Sequence, residues 1–365
     1  MRHPIVKVVS QGGCQSYLVG CPETRACLLI DPKVGLEASY RSLIAQYRLK
    51  LVAVVDTHTH ADHLSAAPRW VGDEVTLYMS KHTHVDRPMT RLGHGDALKV
   101  GSLRFQVREV PGHTPDSIAL YWDGGEHPGA VFSGDSLLIG GLARADFRGS
   151  DPVLLWEAVR RELLSLPPDT VLYPGHSYDN LLFSTIGHER DTNPDLAYPN
   201  GEAYAAARGI IEGAGNSPAV DQVLGLNMER DPHFPEHSAP AAACCASPGQ
   251  ASSVCEPTRI EGLELKEAHD GLEGPRQWVD VRDPFEVEHG RIPGVTHIPL
   301  GELGFYLDHF RGQDRVYISC RSGVRSMSAI RTLQRLGVCS DPVNVEGGIL
   351  AWQALGLPIE GQPAR

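Results

Sequence analysis

Along the first half of the chain, short apolar runs alternate with turns. "IVKVV", "SYLVG", "CLLID", "LVAVVD", "VTLYM", "LRFQVREV", "SIALYW", "AVFSGD" and "TVLYPGH" are rich in Val, Ile, Leu and Tyr and read as strands. The spacing predicts helices over 36–48 and 152–166, with a further helical region after 193. Strands with helices between them predict a layered α/β fold. The stretch 231–258, "DPHFPEHSAPAAACCASPGQASSVCEPT", loses this periodicity and has the Pro, Ala and Ser content of a tail or linker. Beyond it, "QWVDVRD", "RVYISC" and "VNVEGG" read as short buried strands. "SGVRSMSAIRTLQRLG" reads as a helix, with Val324, Met327, Ile330, Leu333 and Leu336 on one stripe. This alternation predicts a small α/β domain with a parallel sheet. The expected division is one domain over 1–235, a linker over 236–258 and a second domain over 259–365.

Composition narrows the partners. A hydrophobic fraction of 41% in 365 residues is enough for two cores. A formal net charge of -12 argues against nucleic acid or an anionic membrane surface, though not against small anions in a pocket. No apolar run approaches the length of a membrane span. "MRHPIVKVVSQGGC" lacks the apolar core of an export signal, so a cytoplasmic location is expected. The eight cysteines are irregularly spaced, which predicts free thiols in a reducing compartment rather than a disulfide framework. Homo-oligomer formation is left open.

Two clusters carry chemistry. In "VVDTHTHADHLSAA", His58 and His60 follow a buried strand, and Asp62 and His63 follow where a helix is expected to begin. "VPGHTPDS", "VFSGDS" and "VLYPGHSY" each set one donor, His113, Asp135 and His176, in a Gly-containing turn after a strand. One histidine at a strand end is usually structural, but a repeated pattern of donors points to metal. "KHTHVD" contains another His-x-His, but His82 and His84 lie in a polar segment without a following Asp-His and are expected at the surface. In "YISCRSGVRSMSA", Cys320 ends a strand and a helix begins almost at once. Loop N–H groups, the helix dipole, Arg321 and Arg325 are all expected to favour a nucleophilic thiolate there.

The set H-x-H-x-D-H followed by lone His, Asp and His resembles the metallo-β-lactamase superfamily over roughly residues 1 to 230. The resemblance implies an αββα sandwich with metal at one edge of two sheets. Lactamases, glyoxalase II thioester hydrolases, lactonases and iron-dependent persulfide dioxygenases share that motif. Residues 259 to 360 resemble the rhodanese sulfurtransferases, through "VDVRDPFEVEHGRIPGVTHIP", the short C-x4-R loop from Cys320 to Arg325, and "VNVEGGILAWQALGLPI". That implies sulfur carried on Cys320 as a persulfide, with Arg321, Ser322, Gly323 and Val324 lining the substrate loop and Arg325 closing it.

With sulfur chemistry in the second domain, "SGDSLLIGGLARADF", "YPGHSYD" and "HERDTNP" look like persulfide dioxygenases. Where those enzymes carry a Cys before Gly-Arg, this chain has Leu142-Ala143-Arg144. The resemblance implies one Fe(II), held by His58, His113 and Asp135, with His60, Asp62, His63 and His176 as supporting residues or as ligands of a second metal. It also implies glutathione persulfide and O2 as substrates and sulfite and glutathione as products, with thiosulfate or sulfite exchanged at Cys320. Tyr178 either hydrogen-bonds near the iron or is an aromatic at a loop base. Arg144 either binds a substrate carboxylate or pairs with Asp146. Cys245 is either a redox-sensitive thiol near the iron or a linker thiol, and Cys244 and Cys255 have no assigned role. The alternatives are a dinuclear zinc thioester hydrolase of the glyoxalase II type carrying a rhodanese domain, and a non-enzymatic sulfur carrier or sensor.

Overall fold

The computed structural model describes residues 2–208, 216–229, 258–260, 270 and 278–361. Apart from residues 179–182, the described residues up to 229 form one compact unit and those from 258 form the other. The expected linker, with Cys244, Cys245 and Cys255, lies outside the described residues.

The first unit contains two six-stranded sheets. The first runs in chain order: β1 (Ile5–Gln11), β2 (Cys14–Gly20), β3 (Ala26–Ile30), β4 (Lys50–Val55), β5 (Thr76–Ser80) and β6 (Thr90–Leu92). It is antiparallel as far as β3 and parallel from there on. The second sheet is built from β7 (Ala97–Val100), β8 (Leu103–Glu109), β9 (Ile118–Trp122), β10 (Ala130–Gly134), β13 (Val171–Pro174) and β14 (Ser184–Thr185). Between β10 and β13 a small hairpin of β11 (Leu137–Leu138) and β12 (Gly141–Leu142) stands apart.

The alternation in the sequence becomes two buried faces. Tyr17 of the first sheet packs edge-on against Phe132 and Tyr173 of the second, at centroid separations of 5.2 and 5.6 Å. A helix covers each outer side. Tyr40, on Glu37–Gln46, donates to Ser16 on β2 at 2.8 Å. Leu155, Trp156, Val159 and Leu163, on the helical run from Pro152, share a core with Val131 and Leu172. The arrangement is the expected αββα sandwich.

The second unit has a five-stranded parallel sheet in the order β15 (Thr258–Ile260), β19 (Asp341–Val345), β18 (Arg315–Ser319), β16 (Trp278–Asp280), β17 (Thr296–His297). Among the described residues no helix is long and apolar enough to cross a membrane.

Two expectations are corrected. No helix begins at Asp62 and His63; the loop bends there, and only a 3-10 turn follows at Ala67–Arg69. The backbone carbonyls of His60 and His63 accept from the Asn227 side chain rather than from amides one turn on. The helix of the second unit runs over Val324–Arg335, but Val324 is 72% exposed and Met327 only half-buried. Its buried face is Ser326, Ala329, Ile330, Thr332 and Leu333. The first turn is rotated because Ser326 is drawn inward by Asn344 and Cys320.

Candidate functional site

The donors of the first unit gather at one edge of the two sheets. Asp31 follows β3, His58 and His60 follow β4, His113 follows β8, Asp135 follows β10 and His176 follows β13. All six are buried. Two glycines let these turns close. Gly134 has φ +51°, and a Cβ there would lie 2.4 Å from the Thr57 hydroxyl. A Cβ on Gly175 would lie 2.4 Å from Asp135 Oδ1.

His58, His113 and Asp135 offer donors within 4.8 Å of one another. The Nε2 atoms of both histidines lie 3.8 Å from Asp135 Oδ2. Their Nδ1 atoms are committed elsewhere. His113 Nδ1 donates to the Arg144 carbonyl at 2.8 Å. Thr57 gives its hydroxyl proton to Asp31 at 2.8 Å, so its oxygen accepts from His58 Nδ1 at 3.0 Å. Each ring therefore turns an Nε2 lone pair toward the same carboxylate oxygen. His58 Nε2 is buried without a hydrogen-bond partner, which a metal ion would supply. Burial, and then the neighbouring His60, push His58 down to about 3, leaving the neutral imidazole that a metal needs.

The other donors are held by carboxylates. His60 Nε2 meets Asp31 Oδ1 at 3.2 Å. His176 bridges two acids, Nδ1 to Asp135 Oδ1 at 2.7 Å and Nε2 to Asp62 Oδ2 at 3.1 Å. His63 Nδ1 reaches the same Asp62 oxygen at 2.9 Å. Burial would lower His63, but the charge and hydrogen bond of Asp62 raise it to about 10. Burial likewise opposes ionisation of Asp135, and the charge and hydrogen bond of His176 hold it below the usual carboxylate range.

Several participants carried no signal in the sequence. Asp31 fixes the first turn of the histidine loop by accepting from Thr57 N at 2.7 Å as well as from its hydroxyl. Asp116 joins two loops, accepting from Thr59 at 2.6 Å and from Thr114 at 2.7 Å. Cys14, on β2, donates to Asp62 Oδ2 at 3.2 Å. The motif "GHTPDS" contained Asp116, but nothing in its spacing said which loop it would hold.

Tyr178 is 49% exposed and stacks on His176 at 5.8 Å. Arg144 Nε donates to Asp146 at 2.6 Å, and its guanidinium lies 5.9 Å from the Phe147 ring centre. Phe147 in turn packs edge-on against His113 at 5.1 Å. His82 and His84 are exposed, and His82 lies 3.3 Å from Glu109.

In the second unit, Cys320 follows β18 at the carboxyl end of the parallel sheet, where such sheets bind ligands. Its Sγ accepts from Gly323 N at 3.1 Å and from Ser326 Oγ at 3.6 Å. Burial pushes this thiol up, but the hydrogen bonds from Ser326, Ser322 and Gly323 outweigh burial and lower it. Gly323, with φ +96°, lets the loop turn its amide inward. Arg321, Ser322 and Val324 are exposed at the rim. Arg325 shares its charge between the Cys320 thiol and two acids. Its guanidinium grips Glu286 at 2.6 and 2.7 Å, with Asp283 at 3.6 Å.

Residues 9–176 match the metallo-beta-lactamase superfamily, and residues 264–355 match the rhodanese-like domain. The mitochondrial persulfide dioxygenase ETHE1 of Mus musculus is 34% identical over 185 residues, covering 50% of this chain and 70% of that protein. A hydroxyacylglutathione hydrolase of Nitrosococcus oceani is 30% identical over 190 residues, covering 50% of this chain and 69% of its own length. Among solved structures, ETHE1 from Myxococcus xanthus superposes with a TM-score of 0.56 at 30% identity, covering 61% of this chain and 98% of its own. Sequence relatives and donor geometry agree: the chain belongs to the metallo-β-lactamase superfamily and carries a rhodanese-like domain on its C-terminal side.

Proposed function

We propose that the first unit is a persulfide dioxygenase, converting glutathione persulfide, O2 and water to glutathione and sulfite. The observation that carries this reading is the set of two Nε2 atoms 3.8 Å from one oxygen of Asp135. Two imidazoles and one carboxylate on one side are the donor set suited to non-haem Fe(II) with open positions. The likeness to ETHE1 and the rhodanese-like domain favour sulfur over a thioester as the substrate. One Fe(II), when bound by His58, His113 and Asp135, supplies the activation of O2 for oxygen transfer to sulfur. Thr57 and the Arg144 carbonyl fix the two rings, and Asp31 fixes Thr57. His60, Asp62, His63 and His176 support this centre. The Arg144–Asp146 pair and Tyr178 border it.

The second unit is proposed to transfer sulfane sulfur. The Cys320 thiolate attacks thiosulfate, forming a Cys320 persulfide and releasing sulfite. Glutathione thiolate then takes the outer sulfur and restores the Cys320 thiolate. Run in reverse, the same steps consume sulfite. The product of one activity is the substrate of the other. We place the enzyme in the cytoplasm, with free diffusion of glutathione persulfide sufficient for coupling.

The test is metal analysis of anaerobically purified protein, followed by O2 uptake with glutathione persulfide. One iron per chain and uptake are expected. Stoichiometric zinc, together with no uptake by iron-loaded protein, would overturn the reading and favour the dinuclear zinc hydrolase.

A further inference from the structure

We propose, on the sulfur-transfer reading of the second unit, that Asn344 is a positioning residue for the sulfur-carrying thiol: it holds the Ser326 hydroxyl away from Cys320 Sγ until charge gathers on the sulfur. Ser326 has one hydroxyl proton to give. Three acceptors lie around its Oγ: Asn344 Oδ1 at 2.6 Å, the Gly323 carbonyl at 2.9 Å and Cys320 Sγ at 3.6 Å. The shortest of these contacts is to Asn344, and the longest is to the sulfur. Ser326 and Asn344 are both fully buried, so bulk water does not compete for the proton.

The Asn344 amide is oriented from its other side. Its Nδ2 donates to Glu346 Oε2 at 3.0 Å. A carboxylate only accepts, so the amide turns its nitrogen to Glu346 and its oxygen to Ser326. The other donors to the sulfur have no such choice. The Gly323 amide meets Sγ at 3.1 Å, and the amides of Ser322 and Ser326 also favour the thiolate. All three belong to the backbone of the loop and the first helical turn. Among these donors the Ser326 hydroxyl alone can rotate, between an acceptor that is always polar and one whose charge changes with the reaction.

A thiol, or the inner sulfur of a persulfide, carries little charge, and the hydroxyl then stays with Asn344. When glutathione thiolate takes the outer sulfur, the S–S bond breaks and its electron pair returns to Sγ. The hydroxyl turns toward that charge, and its proton stays on oxygen throughout. Asn344 therefore makes Cys320 a weaker leaving group and a stronger nucleophile than the loop alone would. The charged groups around the thiol are engaged elsewhere. Arg325 feels the thiolate but holds Glu286 and Asp283. Arg321 is exposed at the rim. Asp280, at the end of β16, pairs with Arg282. Glu346 is bonded to Asn344, and the helix Gly348–Ala354 carries no charged residue.

The experiment is iodoacetamide alkylation of the full chain against pH, with labelling of Cys320 read by peptide mass spectrometry. Asn344→Leu removes the acceptor and frees the hydroxyl for the thiolate. The Cys320 midpoint should fall by roughly 0.5–1 pH unit. In a Ser326→Ala background the same change should leave the midpoint where Ser326→Ala alone puts it. Asn344→Ala, which adds no bulk, should act in the same direction. Glu346→Met, at a half-buried position, releases the amide and should lower the midpoint more with Ser326 present than in the Ser326→Ala background. Single-turnover discharge of the Cys320 persulfide to glutathione should quicken in Asn344→Leu. Alkylation needs no sulfur donor, so the midpoint tests Asn344 separately from the sulfur-transfer reading. Circular dichroism identifies the variants that keep the fold. A midpoint that is unchanged or higher in the folded Asn344 variants, or a fall that persists in the Ser326→Ala background, would overturn the proposal.

Discussion

The side chain of Asn227 donates from one nitrogen to the backbone carbonyl of His63 at 2.8 Å, across 164 residues of sequence. The same nitrogen reaches the His60 carbonyl at 2.9 Å, and Asn227 Oδ1 accepts from Ser65 N at 3.0 Å. One residue near the end of the helix Pro218–Met228 therefore clasps the histidine loop at three backbone points. Asn227→Ala is expected to leave two buried carbonyls and one amide unpaired, at a cost of about 1–3 kcal/mol. Asn227→Asp should lower metal content further, because an acid faces two carbonyls. Urea denaturation and iron content of the two variants check this.

Asp31 reaches the proposed metal centre through Thr57 and His58. Asp31→Asn is expected to lower metal affinity at the first centre by roughly 10–100-fold, the range for partners that orient metal-binding histidines. Competition with a chromogenic chelator measures it. An unchanged affinity would remove Asp31 from the positioning chain.

Ser326 is the counterpart at the thiol. Cys320 is held below the ordinary thiol range in part by the Ser326 amide and hydroxyl. Removing a donor to the thiolate destabilises the charged form, so Ser326→Ala should shift the midpoint of iodoacetamide alkylation upward in pH. At neutral pH, alkylation and thiosulfate sulfurtransfer should both slow. A midpoint that stays in place or falls would show that the hydroxyl serves Asn344 alone.

The two activities should separate by mutation. Cys320→Ser is expected to abolish thiosulfate sulfurtransfer and spare O2 uptake with glutathione persulfide. Asp135→Ala should stop O2 uptake and leave sulfurtransfer intact. A pure sulfur carrier predicts loss of every function in Cys320→Ser, so paired assays on the two variants discriminate.

Much of the fold was legible because the signals are local. "LVAVVD" and "SIALYW" are apolar runs of strand length bounded by turns, and they become β4 and β9. The break at "APAAACCASP" is a change of composition alone, and it lies outside the described residues. The failures came where a distant side chain overrode a local preference. The helix expected at Asp62 is lost to Asn227, and the apolar stripe beginning at Val324 is rotated by Ser326 and Asn344. Asn227 lies far from Asp62 in sequence, and Asn344, which draws Ser326 inward, lies outside the helix Val324–Arg335.

The sequence by itself determined which donors exist, and that each follows a strand, because strand length, turn residues and ligand type are encoded within a few neighbouring positions. It also carried the thiol loop from Cys320 to Arg325 in one continuous stretch. Only the tertiary structure decided how the donors divide. His58 and His60 are two residues apart in one loop, yet His58 turns its free nitrogen toward Asp135 while His60 is held by Asp31. It also brought Cys14 to Asp62 across 48 residues. The reason is physical: hydrogen bonds to buried carboxylates set the direction of an imidazole, and the folded sheets alone determine which carboxylate lies within reach.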